Sequence, residues 1–415
     1  MFRSIASSAF EPFGELRMEF PAVPQKPDNL AEVHLFTGVN GTGKTRILSV
    51  LSAFLGNSSH LYKRTKGVTE TGSFRAGLDT DEEVEIGHGG GVVAEGSGEA
   101  YKFCVTIPAF AYSGYAYLTD TKLLAMGAIP RESRNYYLSF NKPENSSQTL
   151  LQAITNLLLE AAVDSLNVGP DTPHSRAACL VRSIEGTLYE ITGTKFHFKI
   201  ELHPEVSLFV VWDGTKLPFD SLPDGLRAIL GWLVHALVMM DVWLQGKGDP
   251  TNTEAIFLLD EIESHLHPAW QRKILPAFQR LFPKSQIFVA THSPFVIASL
   301  THGWIHSFKI EANGRVKNEA PKPASAGDSY ISVVEDIMGV TEWFDPETES
   351  LLADFRKKRD AAYNPTVPED ERDKAHLEAR RLGLQIGQRS MELDFMMGKE
   401  LNQMERQLAK AAGHA

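Results

Sequence analysis

Cysteine is nearly absent: 415 residues contain only Cys104 and Cys179, far apart and without a CxxC pair. That excludes a disulfide framework and a four-ligand zinc site, and it fits a reducing cytoplasm. Positive charge is also short. Lys and Arg number 41 against 52 Asp and Glu, a balance of −11. No global basic field therefore recruits nucleic acid, although a local groove could still hold DNA. Long hydrophobic runs are missing too. The longest candidate, "LRAILGWLVHALVMMDVWLQG" (226–246), has a central uncharged run, Ala228–Met240, that is interrupted by His235. A bilayer takes about 20 apolar residues, so a buried core helix and no membrane partner are expected. The first twenty residues lack a long apolar core and carry Glu11 and Glu15, so a secretory signal is not expected. What is present is an ordinary globular composition, 43% hydrophobic and 22% charged. The length suits two or three packing units at roughly 100–200 residues each.

Periodicity orders the chain without revealing internal repeats. "ELRMEF" (15–20) and "EVHLFTG" (32–38) read as strands, and "RILSVLSAFLG" (46–56) as a helix closed by Gly56. Residues 57–100 are polar and Gly-rich. Within them "GHGGGVVAEGSG" (87–98) reads as a hairpin loop, since no Lys-Ser/Thr ending and no helix pattern follow. "YKFCVTIPAFAYSG" (101–114) returns to strand. Helix dominates from 120 to about 190, above all in "SQTLLQAITNLLLEAAVDSL" (147–166). "FHFKIEL" and "SLFVVWDG" predict a hairpin. The apolar helix, strand "AIFLLD" (255–260), a helix from Pro268 and strand "SQIFVA" (285–290) follow. "NEAPKPASAGDS" (318–329) reads as a linker. In the charged tail, Leu382, Ile386, Leu393, Met397, Leu401, Met404 and Leu408 fall mostly three, four or seven apart, while Gly383, Gly387 and Gly398 weaken the helix.

Two stretches carry chemistry. "GVNGTGKT" (38–45) fits G-x-x-x-x-G-K-[ST] at every required position, between a strand and a helix. Gly38, Asn40, Gly41, Thr42 and Gly43 let backbone N–H groups wrap a phosphate, and the helix opening at Lys44, Thr45 and Arg46 points its N-terminus at the charge. Lys44 is expected to reach the β- and γ-phosphates of ATP, and the Thr45 hydroxyl to ligate Mg²⁺. "AIFLLDE" then supplies acids at a strand end. Asp260 is expected to hold the metal through water and Glu261 to orient or deprotonate the attacking water. Two carboxylates merely solvated at a strand end are the plain alternative.

With "LPDGLRAIL" (222–230), "LLDEIESHLHPAWQRKILP" (258–276) and "IFVATHSPFVI" (287–297) added, the sequence resembles the ABC-type ATPases. More closely it resembles the SMC-like and OLD-like AAA-labelled ATPases common in bacterial defence and DNA repair. The resemblance covers about residues 10–60, 100–115 and 195–310. It implies an α/β fold: an ABC-type P-loop NTPase core with a mixed sheet, a helical insertion subdomain and a helical C-terminal tail. The expected segments are a phosphate-loop lobe (1–119), the helical insertion (120–194), a lobe with signature, Walker B and switch histidine (195–317), and a linker with helical extension (318–415). By position, Asp224 and Gly225 belong to the signature loop facing another subunit's nucleotide. Glu263 through Pro268 cross the dimer interface, and His292 is the switch histidine sensing the γ-phosphate. A metal held by His265 and His267 competes with that reading, but the pair lacks further ligands nearby. Two departures stand out. Pro223 replaces the signature serine, and "AYSGY" stands where a glutamine is expected, leaving Tyr112 and Ser113 as substitutes or as an ordinary strand end.

The insertion is too short for an extended coiled coil, and no strand-rich segment ending in an Asp-x-Asp cluster follows "THSPF", so no built-in nuclease is expected. The tail's apolar stripe docks on the protein's own core, on another copy or on a separate effector. The leading expectation is an ATPase that oligomerises with itself through composite sites and controls a separate effector, a nuclease for example, in anti-phage defence. A DNA-repair or DNA-clamp ATPase, a slow-turnover nucleotide-dependent scaffold and, further off, an ABC transporter subunit are the alternatives.

Overall fold

A computed structural model describes residues 1–57, 73–86, 92–93, 98–114, 121–129, 137–140, 146–167, 175–324 and 329–411. The chain divides into two units, Met1–Met338 and Gly339–Ala415.

In the first unit an antiparallel sheet is built from β1 (Phe2–Phe10), β2 (Gly14–Glu19), β4 (Phe74–Leu78), β5 (Glu83–Ile86) and β6 (Val92–Val93), in the order β2-β1-β4-β5-β6. The central sheet contains β3 (Glu32–Gly38), β7 (Ala109–Ser113), β11 (Ile256–Asp260), β12 (Gln286–Ala290) and β13 (Trp304–Ile310), all parallel, in the order β13-β3-β12-β11-β7. Antiparallel β14 (Val316–Asn318) and β15 (Lys322–Pro323) make it mixed. A third sheet, β8 (Phe196–Glu201), β9 (Ser207–Trp212) and β10 (Thr215–Leu217), includes the expected hairpin. This is the α/β arrangement with a mixed sheet that the sequence implied.

The central strands are near-continuous apolar runs because both faces of a parallel sheet are covered. Alternate side chains feed two cores. Val33, Leu35, Phe257, Leu259, Ile287 and Val289 point into one, with the helices at Ser146–Asn167, Arg176–Thr192 and Pro268–Leu281. Phe36, Ile256, Leu258, Phe288 and Ala290 point into the other, with the helix Lys44–Phe54 and the antiparallel sheet. Register aligns Phe36, Ala290, Asp260 and Ser113 across the sheet. The carboxyl ends of β3, β12 and β11 therefore release their loops side by side, where open α/β sheets bind ligands.

The apolar helix spans Asp224–Trp243 and is long and apolar enough to cross a membrane, yet 83% of its most apolar window is buried inside the fold. Leu230–Val234 forms a π turn within it. Three expectations change. Residues 101–106, read as strand, are the end of a helix Gly98–Thr106, and only Ala109–Ser113 is strand. Cys104 and Ile107, three apart, both face the core, so burial overrides the β-propensity of this aromatic run. β1 went unread because its Ser and Ala residues blur alternation. Residues 322–323, read as linker, pair with Trp304 and Ile305. The hairpin-loop expectation for 87–98 lies, apart from Val92–Val93 and Gly98, outside the described residues.

The second unit holds three long helices, Pro346–Tyr363, Glu369–Gly387 and Met391–Ala411. Asp345 caps the first, its carboxylate accepting from the Glu347 and Thr348 N–H groups, with Pro346 at the first helical position. The tail's stripe closes on this unit: Ile386, Leu393, Met397 and Met404 pack with Leu352 and Phe355. Two of the doubted glycines serve that packing. A Cβ on Gly383 would lie 2.9 Å from Leu401 Cδ2, and one on Gly387 3.3 Å from Asp394 Oδ1.

Candidate functional site

The loop after β3 turns on glycine. Gly41 and Gly43 have φ of 86° and 87°, the left-handed region that side chains disfavour. Gly38 has no room for more, since a Cβ there would sit 2.5 Å from the Phe308 carbonyl oxygen on β13. The Thr42 hydroxyl donates to Val39 O at 2.9 Å and tightens the turn. Lys44 folds back over the loop, its ammonium donating to Gly38 O at 2.8 Å and Val39 O at 3.1 Å. Burial pushes Lys44 down to about 8, against the attraction of Glu261, Asp260 and Glu263.

Asp260 ends β11 and is buried. Its Oδ1 accepts the Thr45 hydroxyl at 3.0 Å, which brings together the two groups expected to share Mg²⁺. Hard oxygen donors of this kind, completed by phosphate and water, suit that ion. Glu261 follows at φ 51°, in the left-handed region, with its N–H donating to Ala290 O at 2.8 Å. This turn throws its carboxylate outward, 4.0 Å from His292 Nε2 in the loop after β12. Burial lowers the His292 pKa, nearby Lys44 lowers it further, and Glu261 opposes both. Asn40, Gly41, Gly43, Lys44, Thr45, Arg46, Glu261 and His292 line one open cleft. Arg46 also donates to Glu11 O at 2.6 Å.

Asp224 and Gly225 do not line this cleft. They begin the long helix, with Pro223 at the N-cap and no side-chain cap bond, which a serine would have provided. Gly225 packs against the loop after β11, where a Cβ would lie 2.9 Å from His265 O. Tyr112 does not stand in for the missing glutamine. It is buried with its hydroxyl 2.9 Å from His235 Nδ1 in the core. Ser113 ends β7 in register with Asp260. His267 Nδ1 accepts from Ala269 N–H and caps the helix Pro268–Leu281. No group of three or more His, Cys, Asp or Glu among the described residues is arranged to hold a metal.

Sequence reasoning passed over Gly114 and Gln271, and read Glu263 only as part of the segment crossing a dimer interface. Gly114 N donates to Asp260 O at 3.1 Å, and a Cβ on Gly114 would fall 2.1 Å from Glu261 O. Glu263 is buried and accepts from the Thr291 hydroxyl at 2.5 Å and from His292 N–H at 2.9 Å. Gln271 joins the same loops through Ser293 Oγ at 2.6 Å. Glu263 lay inside a quoted motif, but nothing in its spacing told an inward carboxylate from an interface residue.

Residues 95–298 match the family described as "AAA domain, putative AbiEii toxin, Type IV TA system". The matched segment contains β7, β11 and β12 with the loops that carry Asp260, Glu261 and His292. The chain is 33% identical over 162 residues, 38% of this chain and 30% of the relative, to the Retron Vc95 probable ATPase of Vibrio cholerae serotype O1 biovar El Tor. It is 28% identical over 185 residues, 45% of this chain and 32% of the relative, to the Retron Ec83 probable ATPase of Escherichia coli. The Septu protein PtuA of Bacillus thuringiensis is 26% identical over 152 residues, 35% of this chain and 38% of that protein. The chain thus spans 30–38% of the length of these curated relatives. The solved SMC head domain from Thermotoga maritima superposes at a TM-score of 0.42 with 12% identity, covering 78% of this chain and 98% of that one. That likeness is too distant to add to the sheet order and loop geometry above.

Proposed function

We propose that this chain binds Mg²⁺-ATP in the cleft around Lys44 and hydrolyses it, that a second copy completes the site, and that the resulting closure controls a separate effector in cytoplasmic anti-phage defence. A nuclease is the effector class we favour. One observation carries the reading: Lys44, Thr45, Asp260, Glu261 and His292 arrive from three neighbouring strand ends at one opening. Retron and Septu relatives support the setting.

Backbone N–H groups of residues 40–45 bind the phosphates, and Lys44 exchanges its carbonyl partners for phosphate oxygens. Thr45 and Asp260 would hold Mg²⁺, which would supply charge neutralisation for the triphosphate. Glu261 orients the attacking water and accepts its proton. His292, whose lowered pKa keeps it neutral at pH 7, offers one ring nitrogen to the γ-phosphate. Asp224 and Gly225, outside the cleft of their own chain, meet the nucleotide of the second copy, with Pro223 in place of the serine hydroxyl. The phosphate-loop lobe (1–119), the insertion (120–194) and the signature lobe (195–317) fall within the first unit, Met1–Met338, and the extension (318–415) lies mostly in the second.

Light scattering with Glu261→Gln tests the composite site. ATP is expected to raise the mass to at least that of a dimer, because the bound triphosphate is not consumed. An unchanged mass with ATP bound would refute the shared site.

A further inference from the structure

Glu263 has the geometry of a part that transmits force between loops. Its Oε1 accepts two hydrogen bonds from the neighbouring loop, from the Thr291 hydroxyl at 2.5 Å and the His292 backbone N–H at 2.9 Å. Its Oε2 is buried and makes no hydrogen bond within the described residues. The Thr291 hydroxyl in turn accepts from Ser293 N–H at 3.0 Å. Gln271 forms a second tie. Its Nε2 donates to Leu266 O at 2.9 Å and Glu263 O at 3.3 Å, while its Oε1 accepts from Ser293 Oγ at 2.6 Å. The residues on both sides of His292 are therefore bonded to the segment 263–271.

That segment is held under local strain. Glu261 and His265 sit at φ 51° and 64°, so two non-glycine residues in the left-handed region bracket Glu263. Such conformations persist only where the surroundings over-determine them. A buried carboxylate is also costly unless its hydrogen bonds are met. Its two hydrogen bonds to the His292 loop offset part of that cost and tie the two loops together.

We propose that Glu263 is a positioning residue that fixes His292 relative to Glu261, so that a shift of residues 264–267 moves the histidine with the loop. The proposal rests on the ATPase reading above and deepens it. With residues 264–268 meeting the second copy, as the family resemblance implies, the inward-facing Glu263 makes that contact felt at the γ-phosphate end of the cleft.

Two readouts separate this from a merely structural role, and from failure of the ATPase reading itself. The first is steady-state phosphate release by wild type, Glu263→Ala and Glu263→Gln, with Lys44→Ala as background. Glu263→Ala is expected to lower kcat at least tenfold with KM for ATP within twofold. Glu263→Gln keeps an oxygen acceptor for Thr291 and His292, and is expected to stay within threefold of wild type. The second readout needs no turnover: the ¹⁵N–¹H spectrum of the His292 ring in histidine-labelled protein with Mg²⁺ and a non-hydrolysable ATP analogue, assigned with His292→Gln. Glu263→Ala is expected to shift or split that signal, and Glu263→Gln to leave it in place. A wild type no faster than Lys44→Ala sinks the ATPase reading, while the spectrum still decides the positioning role. An unshifted His292 signal in Glu263→Ala, or a kcat within twofold of wild type, overturns the proposal. Should Glu263→Ala not fold, Thr291→Val removes one of the two bonds, and the same shift is required of it.

Discussion

In the proposed site, the buried Lys44 should make ATP affinity depend on pH in a range where most lysines are inert. Burial lowers Lys44 to about 8, whereas an unperturbed lysine titrates near 10.4. Its charged form is the one that binds phosphate, so above pH 8 the free protein must take up a proton in order to bind. With a pKa of about 8, the protonated fraction is about 0.9 at pH 7 and about 0.1 at pH 9. ATP affinity should therefore fall about tenfold across that interval, or about 1.4 kcal/mol. A lysine of ordinary pKa would lose only about 4% of its charge over the same range. Isothermal titration calorimetry with excess Mg²⁺, run at pH 7 and 9 in buffers of different ionisation enthalpy, reads both quantities. Proton uptake should rise from about 0.1 to about 0.9 per site. An affinity that stays level, together with no proton uptake at pH 9, would refute the buried environment assigned to Lys44.

Two further consequences can be checked on the same protein. Gly114→Ala places a Cβ against the Glu261 carbonyl, and such overpacking should cost roughly 1–3 kcal/mol and depress phosphate release. A urea midpoint and turnover equal to wild type would contradict the close approach of these two loops. A buried pair, His34 and His306, lies 3.2 Å apart beneath Phe20 and Phe288. Burial lowers both pKa values, with Glu32 opposing at His34 and the neighbouring His34 lowering His306 further. Unfolding lets both rings gain protons below about pH 6.5, so stability is complete above that pH and is lost as pH falls. His306→Gln should make the acid limb of stability shallower by about one proton, and equal slopes in urea titrations from pH 7 to 5 would speak against this.

The phosphate loop, the acids after β11 and the histidine after β12 were legible because each sits where an apolar strand stops at a residue type with a specific chemical task. Backbone demands wrote Gly38, Gly41 and Gly43 directly into the sequence. The same held for β11 and β12, whose unbroken apolar runs are what two covered faces require. Other features were hidden for physical reasons. β1 sets its large apolar residues, Phe2, Ile5 and Phe10, three and five apart among small ones, and its burial comes from partners in β2 and β4 that local patterning does not expose. The run 101–106 carries strand-forming side chains on a helix, because two core contacts three residues apart outweigh propensity. Tyr112 looked like a polar strand end, yet its hydroxyl is satisfied by His235, more than a hundred residues away. Gly383 and Gly387 argued against a helix in isolation and turn out to admit its neighbour. Glu263 was read as an outward contact because a sequence shows that a carboxylate is present, not which way it faces.

The central claim is that Glu261, set at the mouth of a cleft built by Lys44, Thr45 and Asp260, drives hydrolysis of bound ATP. Phosphate release by wild type and Glu261→Gln, at saturating Mg²⁺-ATP with binding of ATP confirmed for both, tests it most directly. The account predicts that the variant binds ATP as tightly as wild type and releases phosphate about 10²–10⁴-fold more slowly. Equal rates from the two proteins would contradict it.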